Sequence, residues 1–229
     1  MSHPEFTPYG WPEPGPRYLT ATTFIDSEDP RVAAFAHEAT RGAADERERA
    51  VRLFYAVRDG IRYDPYAIRL DPSEFRASRV LEAGRAFCVP KAVLLAAAAR
   101  AAGIASAIGL SDVTNHFTSR RLAQAMGGRD LFLHHGWAAL HVEGEWRKVV
   151  PAFNKELCTL RGVLPTEFDG RSDALLQAFD SAGTRQMTYL KDHGVWSDLP
   201  YARIEADFHG FYPTTLWASS AGDAAFGSP

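Results

Sequence analysis

Cysteine is scarce in this sequence, long apolar runs are missing, and neither sign of charge dominates. Two cysteines in 229 residues exclude a disulfide framework. The longest apolar run, 92–99, is far shorter than the roughly 20 residues of a membrane-spanning helix. The net charge of −3 argues against nucleic acid or an anionic membrane as the main partner. The N-terminus also lacks a basic region followed by an apolar core, so we expect a cytoplasmic protein with reduced thiols.

Apolar residues make up 46% of the chain and charged residues 23%, which is typical of a globular protein. The proline-rich residues 1–25 indicate an extended N-terminal arm, since that density of proline prevents regular structure. Residues 26–215 are then expected to form a single domain, and residues 216–229 a flexible tail. Composition leaves the oligomeric state open.

Helices are predicted in the first half of the domain. Asp29 or Ser27 caps a helix with Pro30 in its first turn. Residues 45–58 carry an apolar stripe, and residues 79–82 form a short helix. Cys88 precedes a nearly all-apolar helix that runs to residue 102 and should therefore be buried.

Strands are predicted after this helix, over residues 104–113, 137–143 and 146–150. The last two flank Gly144 and indicate a β-hairpin. A short helix is expected over residues 119–126, and the pattern beyond residue 155 fits either strand or helix. The fold class is therefore α+β, with helices followed by an antiparallel sheet.

Cys88 at a helix start, followed in sequence by histidines before a strand, suggests nucleophilic chemistry. A helix N-terminus and a nearby imidazolium both favour a thiolate. The free N–H groups at such an end can stabilise an oxyanion. A histidine within reach of the sulfur would complete a nucleophile and base pair.

Three stretches carry a resemblance to a known family: residues 53–66, 77–110 and 135–151. They are similar to the bacterial transglutaminase-like superfamily, in its helix before the core, its cysteine segment and its histidine hairpin. The resemblance implies a papain-like core with the nucleophile at the N-terminus of a buried central helix. It also implies Cys88 as nucleophile and His135 as base, since His135-Gly136-Trp137 fits the His-x-Trp pattern. His134 does not fit this register and is interpreted as a neighbour without a chemical role.

The third member of the family's triad is replaced in this sequence. The family has an aspartate before a proline at the end of the next strand, and Val150 stands there. Two side chains can substitute. Antiparallel counting in the hairpin places Asn154 opposite His135, and an amide orients the histidine of papain-like proteases. Asp112 ends the preceding strand, and the order Cys, Asp, His also resembles bacterial cyclases that close tetramate rings by Dieckmann condensation.

The sequence thus predicts a cysteine-dependent acyl-transfer enzyme that forms a thioester with a peptide-like or small acyl substrate. A peptidase, amidase or transglutaminase-like activity is expected first, and a Dieckmann-type cyclase or an inactive peptide-binding module are the alternatives. No cofactor is expected. No metal site is expected either, because His135 and His141 are separated by about 20 Å along one strand face.

Overall fold

The computed structural model describes residues 11–115, 118–176 and 187–218. In chain order, its helices in the first half are α1 (Pro30–Thr40), α2 (Glu46–Gly60), α3 (Ala77–Ala83) and α4 (Cys88–Ala101). A two-residue parallel pair, β1 (Arg62–Tyr63) and β2 (Arg85–Ala86), lies between them. The predicted helices are therefore present in the predicted order.

The second half contains β3 (Ser106–Asn115), α5 (Arg120–Ala125), β4 (Leu131–Val142), β5 (Glu145–Val149), α6 (Lys155–Arg161), β6 (Met187–Trp196), α7 (Tyr201–Phe211) and α8 (Thr215–Ala218). The sheet order is β5-β4-β3-β6, and every pair is antiparallel. The α+β class with helices followed by an antiparallel sheet is confirmed. In the described part of the chain, no helix is both long and apolar enough to cross a bilayer.

Several segment boundaries differ from the predicted ones. Strand β4 begins at Leu131, six residues before the predicted start at Trp137, and β3 runs two residues past the predicted end, to Asn115. Beyond residue 155, where the sequence pattern fits either strand or helix, Met187–Trp196 forms strand β6. The segment 172–179 provides one parallel bridge, between Ala174 and Val149. Its residues beyond 176 lie outside the described residues, as do the arm residues 1–10 and the tail from residue 219.

Helix α4 lies at the centre of the core. Its apolar side chains are buried around the whole circumference, as the Ala- and Leu-rich sequence predicts. Its two basic residues are buried as well. Lys91 donates to the carbonyls of Arg58 and Ile61, and Arg100 donates to backbone carbonyls that include those of Thr20 and Ser106. These donors satisfy backbone carbonyls that would otherwise be buried without partners.

The N-terminal segment packs on the outer face of the sheet. The ring of Trp11 stacks on Trp146 at 5.9 Å and meets Trp137 edge-on at 6.2 Å. Tyr18 is buried against Trp146.

Candidate active site

Cys88 is the first residue of α4, and the residue as a whole is partly exposed. The N–H groups of Gly136, Val89 and Cys88 itself point at this sulfur. Such donors favour the thiolate, but burial has the larger effect and raises the thiol pKa to about 11. The resting thiol is therefore protonated at neutral pH.

The contact between β4 and the start of α4 requires a glycine at position 136. A Cβ atom there would lie 2.6 Å from the Cα of Val89. The absence of a side chain lets the strand backbone approach the helix start, and this approach delivers the Gly136 N–H to the cysteine. Glycine in the predicted His-Gly-Trp segment thus has a positioning function.

A bulge precedes this contact and changes the direction of two histidines. The pairing of β3 with β4 shifts register between Ser111 and Val113. Opposite that shift, His134 has φ = 55°, in the left-handed region. Successive residues of a regular strand point to opposite faces, yet His134 and His135 both line the cavity that contains Cys88. The bulge explains why both rings reach it.

His135 is buried and has no orienting partner among the described residues. Its Nε2 makes no hydrogen bond, and its ring lies 6.3 Å from that of Tyr189. Burial alone lowers its pKa to about 4. His135 shares the cavity with Cys88, but no hydrogen bond of its Nε2 joins it to the thiol.

The expected contacts of Asp112 and Asn154 with the His135 ring are not formed. Asn154 precedes α6, where its Oδ1 accepts from the Tyr63 N–H at 3.1 Å and its Nδ2 donates to Glu156 at 2.8 Å. It therefore joins β1 to α6. The hairpin count does not place it at His135 because β5 ends at Val149 and the chain then turns away.

Asp112 lies in the bulge and binds other groups. Its Oδ1 accepts the backbone N–H of His134 at 3.1 Å. The same oxygen lies 2.8 Å from Nε2 of His193, an ion-pair contact without hydrogen-bond alignment. Asp112 thus lies near the two histidines, as its place at the strand end predicted. It accepts from the backbone N–H of His134 and does not contact the ring of His135.

The ring of His134 has a carboxylate partner, which the ring of His135 lacks. Its Nε2 lies 2.6 Å from Oδ2 of Asp207 on α7, while its buried Nδ1 has no partner among the described residues. The His193 ring lies 4.8 Å away. Burial lowers the pKa of His134, and the Asp207 carboxylate opposes that shift.

The side chains of Asp112, His134 and His193 are also close enough to be considered as metal ligands, with donor atoms within 4.8 Å of one another. The Nδ1 of His193 faces a guanidinium N–H of Arg203 at 3.2 Å. Because arginine can only donate, Nδ1 accepts and the Nε2 directed at Asp112 carries the proton. A protonated Nε2 cannot bind a metal, so these residues do not fit a metal centre.

The cavity around Cys88 is small and mainly apolar. Its volume is about 40 Å³, room for roughly two or three water molecules. Besides the cysteine and the two histidines, its lining is supplied by Tyr63, Pro65, Ile68, Phe87, Leu122, Met126, Phe132, Leu133, Phe208, Tyr212 and Leu216. This lining accepts an apolar group next to the sulfur.

A larger, open groove of about 460 Å³ shares Ile68 and Phe87 with this cavity. Charged side chains of both signs line the groove: Asp64, Arg69, Asp71, Glu74, Arg79 and Arg85. The polar groove and the mainly apolar cavity at Cys88 therefore lie next to each other, on either side of Ile68 and Phe87.

Sequence reasoning missed Asp207, His193 and Arg203. Asp207 lies 73 residues from His134, on a helix that was not predicted, and no local pattern connects the two positions. The adjacency of two histidines was visible, but only the bulge shows that both reach one cavity. Cys158 is buried in α6, and burial raises its pKa to about 11.

Comparison with known proteins gives one clear match. The sequence profile of the transglutaminase-like superfamily matches residues 33–151. No curated protein matches the sequence. Among solved structures, the chain is similar to a candidate cysteine protease from Cytophaga hutchinsonii, at 12% identity and a TM-score of 0.46, over 85% of this chain and 58% of that one. It is also similar to a candidate protease from Parabacteroides distasonis ATCC 8503, at 17% identity and a TM-score of 0.36, over 55% of this chain and 25% of that one.

The chain therefore spans little more than half of the first of these structures and a quarter of the second. The profile match covers more than half of the present sequence and includes Cys88, Asp112 and both histidines. The chain belongs to the transglutaminase-like superfamily.

Proposed function

We propose that this protein is a cysteine-dependent acyl-transfer enzyme in which Cys88 attacks the carbonyl of a peptide-like or small acyl substrate. The observation that carries the proposal is the placement of Cys88 at the start of α4, in one cavity with two histidines. Membership of the transglutaminase-like superfamily supports the same chemistry.

Thioester formation is supported by the backbone donors around the sulfur. The thiol loses its proton to a histidine as the sulfur attacks the carbonyl carbon, and the carbonyl oxygen becomes negatively charged. The N–H groups of Gly136 and Val89 already point at the sulfur and are suited to stabilise that charge. The leaving group departs with a proton from the histidine, and the acyl group stays on Cys88 until an acceptor takes it.

The adjacent cavity and groove support a substrate with two parts. An apolar substituent fits the cavity lined by residues such as Phe87 and Tyr212, while a polar or charged portion occupies the groove beside Arg79 and Arg85. A peptide has this combination of a polar backbone and an apolar side chain. The acyl acceptor is then water in a peptidase or amidase, an amine in a transglutaminase-like reaction, or an internal carbon nucleophile in a Dieckmann-type cyclase.

The test is acylation by an activated ester. We expect p-nitrophenyl acetate to release a burst of about one equivalent of p-nitrophenolate per enzyme. Cys88→Ala should abolish the burst, and the matched variant Cys158→Ala should keep it. A burst of unchanged size in Cys88→Ala would refute the proposal, and so would the lack of any burst in the wild-type protein.

A further inference from the structure

This inference rests on the proposed function and concerns the base that serves Cys88. We infer that His134, and not His135, takes the thiol proton, and that Asp207 is the residue that positions His134. The relevant observation is a contact of 2.6 Å between Nε2 of His134 and Oδ2 of Asp207, together with a buried Nδ1 that has no partner among the described residues.

The contact with Asp207 determines which nitrogen carries the proton. A carboxylate accepts, so the proton of the neutral imidazole lies on Nε2 and the lone pair on Nδ1. His134 lines the same cavity as Cys88, and its Nδ1 makes no hydrogen bond within the described residues that would occupy this lone pair. A histidine acts as a general base when one ring nitrogen donates to a carboxylate and the other nitrogen keeps a lone pair that can accept a proton.

The backbone is bent so that His134 reaches this position. Its φ of 55° is a conformation that few non-glycine residues adopt. The carboxylate of Asp112 accepts the His134 N–H and so stabilises the bulge. Strain of this kind persists only where the surrounding structure holds it, and it is concentrated at functional sites.

The charges around His134 allow it to accept a proton. Asp207 faces it from α7 and Asp112 from β3, so an imidazolium would lie between two carboxylates. His193 on β6 faces the ring from a third side, and Arg203 lies 3.8 Å from the Asp207 carboxylate. Burial of the ring and the nearby His193 lower the pKa of His134, whereas the Asp207 and Asp112 carboxylates raise it.

His135 has none of these supports. The pKa of its ring is lowered to about 4 by burial alone, and no carboxylate contributes to it. Its Nε2 is buried without a partner in the described part of the chain. A ring of such low basicity, with no orienting group, is a weak base for a thiol.

The discriminating experiment compares His134→Asn with His135→Asn. Asparagine tolerates a positive φ better than most residues, so it suits the bulge position. The measured quantity is the rate constant for Cys88 acylation by p-nitrophenyl acetate. In this step a bond forms between the sulfur and the acyl carbon, the bond to p-nitrophenolate breaks, and the thiol proton passes to Nδ1 of His134.

We expect His134→Asn to lower the acylation rate constant by about 100- to 1000-fold, the usual range for loss of a general base. His135→Asn should lower it by less than about 10-fold, because a structural side chain affects the site only through packing. A larger loss in His135→Asn, or equal losses in both variants, would overturn the inference. If wild-type Cys88 is acylated and Cys88→Ala is not, the proposed function stands whichever histidine is the base.

Asp207→Asn provides a second variant that does not disturb the bulge, because its side chain is 46% exposed on α7. The Asp207 carboxylate raises the pKa of His134. Its removal should therefore move the acid limb of the pH–rate profile to lower pH and reduce the plateau rate by about 10-fold. Glu205→Gln on the same helix is the matched control and should leave the limb in place. A reduced rate with an unmoved acid limb in Asp207→Asn would overturn the positioning role.

Discussion

The backbone N–H of Gly136 points at the sulfur of Cys88, across the narrow contact between strand β4 and the start of α4. This relationship connects the fold to the proposed chemistry, because the strand that carries His134 and His135 also supplies a donor to the proposed nucleophile, Cys88. It depends on the missing side chain at position 136. A change at this glycine should therefore affect both stability and activity.

Gly136→Ala is expected to destabilise the protein by about 1–3 kcal/mol, the range for overpacking a buried site. The added Cβ would lie 2.6 Å from backbone of Val89, which cannot move without moving the helix. Gly210→Ala in α7 is the control, since a Cβ there meets nothing within 4 Å. The control should be neutral or more stable by up to about 1 kcal/mol. Urea unfolding of both variants measures this, and equal stability of the two would contradict the packing argument.

Cys88 is expected to be alkylated by substoichiometric iodoacetamide in preference to Cys158. Cys88 is partly exposed, whereas Cys158 is buried. Because burial raises the pKa of the Cys88 thiol to about 11, its rate of labelling should keep increasing above neutral pH. Peptide mapping of the adduct at several pH values measures both expectations. Preferential labelling of Cys158, or a rate that reaches its plateau below pH 8 or so, would be inconsistent with this site.

The pKa of His135 predicts a specific loss of stability in acid. The folded pKa of about 4 lies below the reference value of 6.5, so the unfolded chain binds a proton that the folded protein excludes. The free energy of unfolding should therefore decrease as the pH falls from 6.5 to 4, with a limiting slope of about 1.4 kcal/mol per pH unit. His135→Asn should show a shallower decrease over this range. Urea titrations at a series of pH values test this, and identical slopes in the two proteins would contradict it.

Lys91 predicts a second dependence on pH, in the alkaline direction. Burial lowers its pKa from 10.5 to about 7, so unfolding takes up a proton between these values. The free energy of unfolding contributed by Lys91 should rise with pH in this interval, by up to about 1.4 kcal/mol per unit. Lys91→Met should remove the rise and also destabilise the protein, since the carbonyls of Arg58 and Ile61 lose their donor. If the free energy of unfolding still rises with pH in Lys91→Met, the rise comes from the titration of another group.

The fold was predictable from the sequence where the pattern is strongly periodic. The Ala- and Leu-rich segment after Cys88 gave the central helix, and the residues around Gly144 gave the β4–β5 hairpin. In that turn Glu143 and Gly144 both have positive φ, as a tight hairpin with a twisted pair of strands requires. Local sequence patterns determine such elements, so they can be predicted without tertiary information.

The surroundings of the histidines could not be predicted in the same way. Counting along regular strands assigns His134 and His135 to opposite faces, and the bulge beside Asp112 invalidates that count. The carboxylate nearest a histidine ring belongs to Asp207, on a helix far away in sequence. Tertiary packing sets both features, and the residues themselves carry no local signal for it.

The central claim is that Cys88 forms a covalent acyl intermediate, and the most direct test is to locate the acyl group. The protein is mixed with p-nitrophenyl acetate, quenched in acid and digested, and the acetylated peptide is identified by mass spectrometry. The account predicts an acetyl group on Cys88, and no acetylated cysteine in the Cys88→Ala variant. An unmodified Cys88, or acetylation confined to other residues, would contradict it.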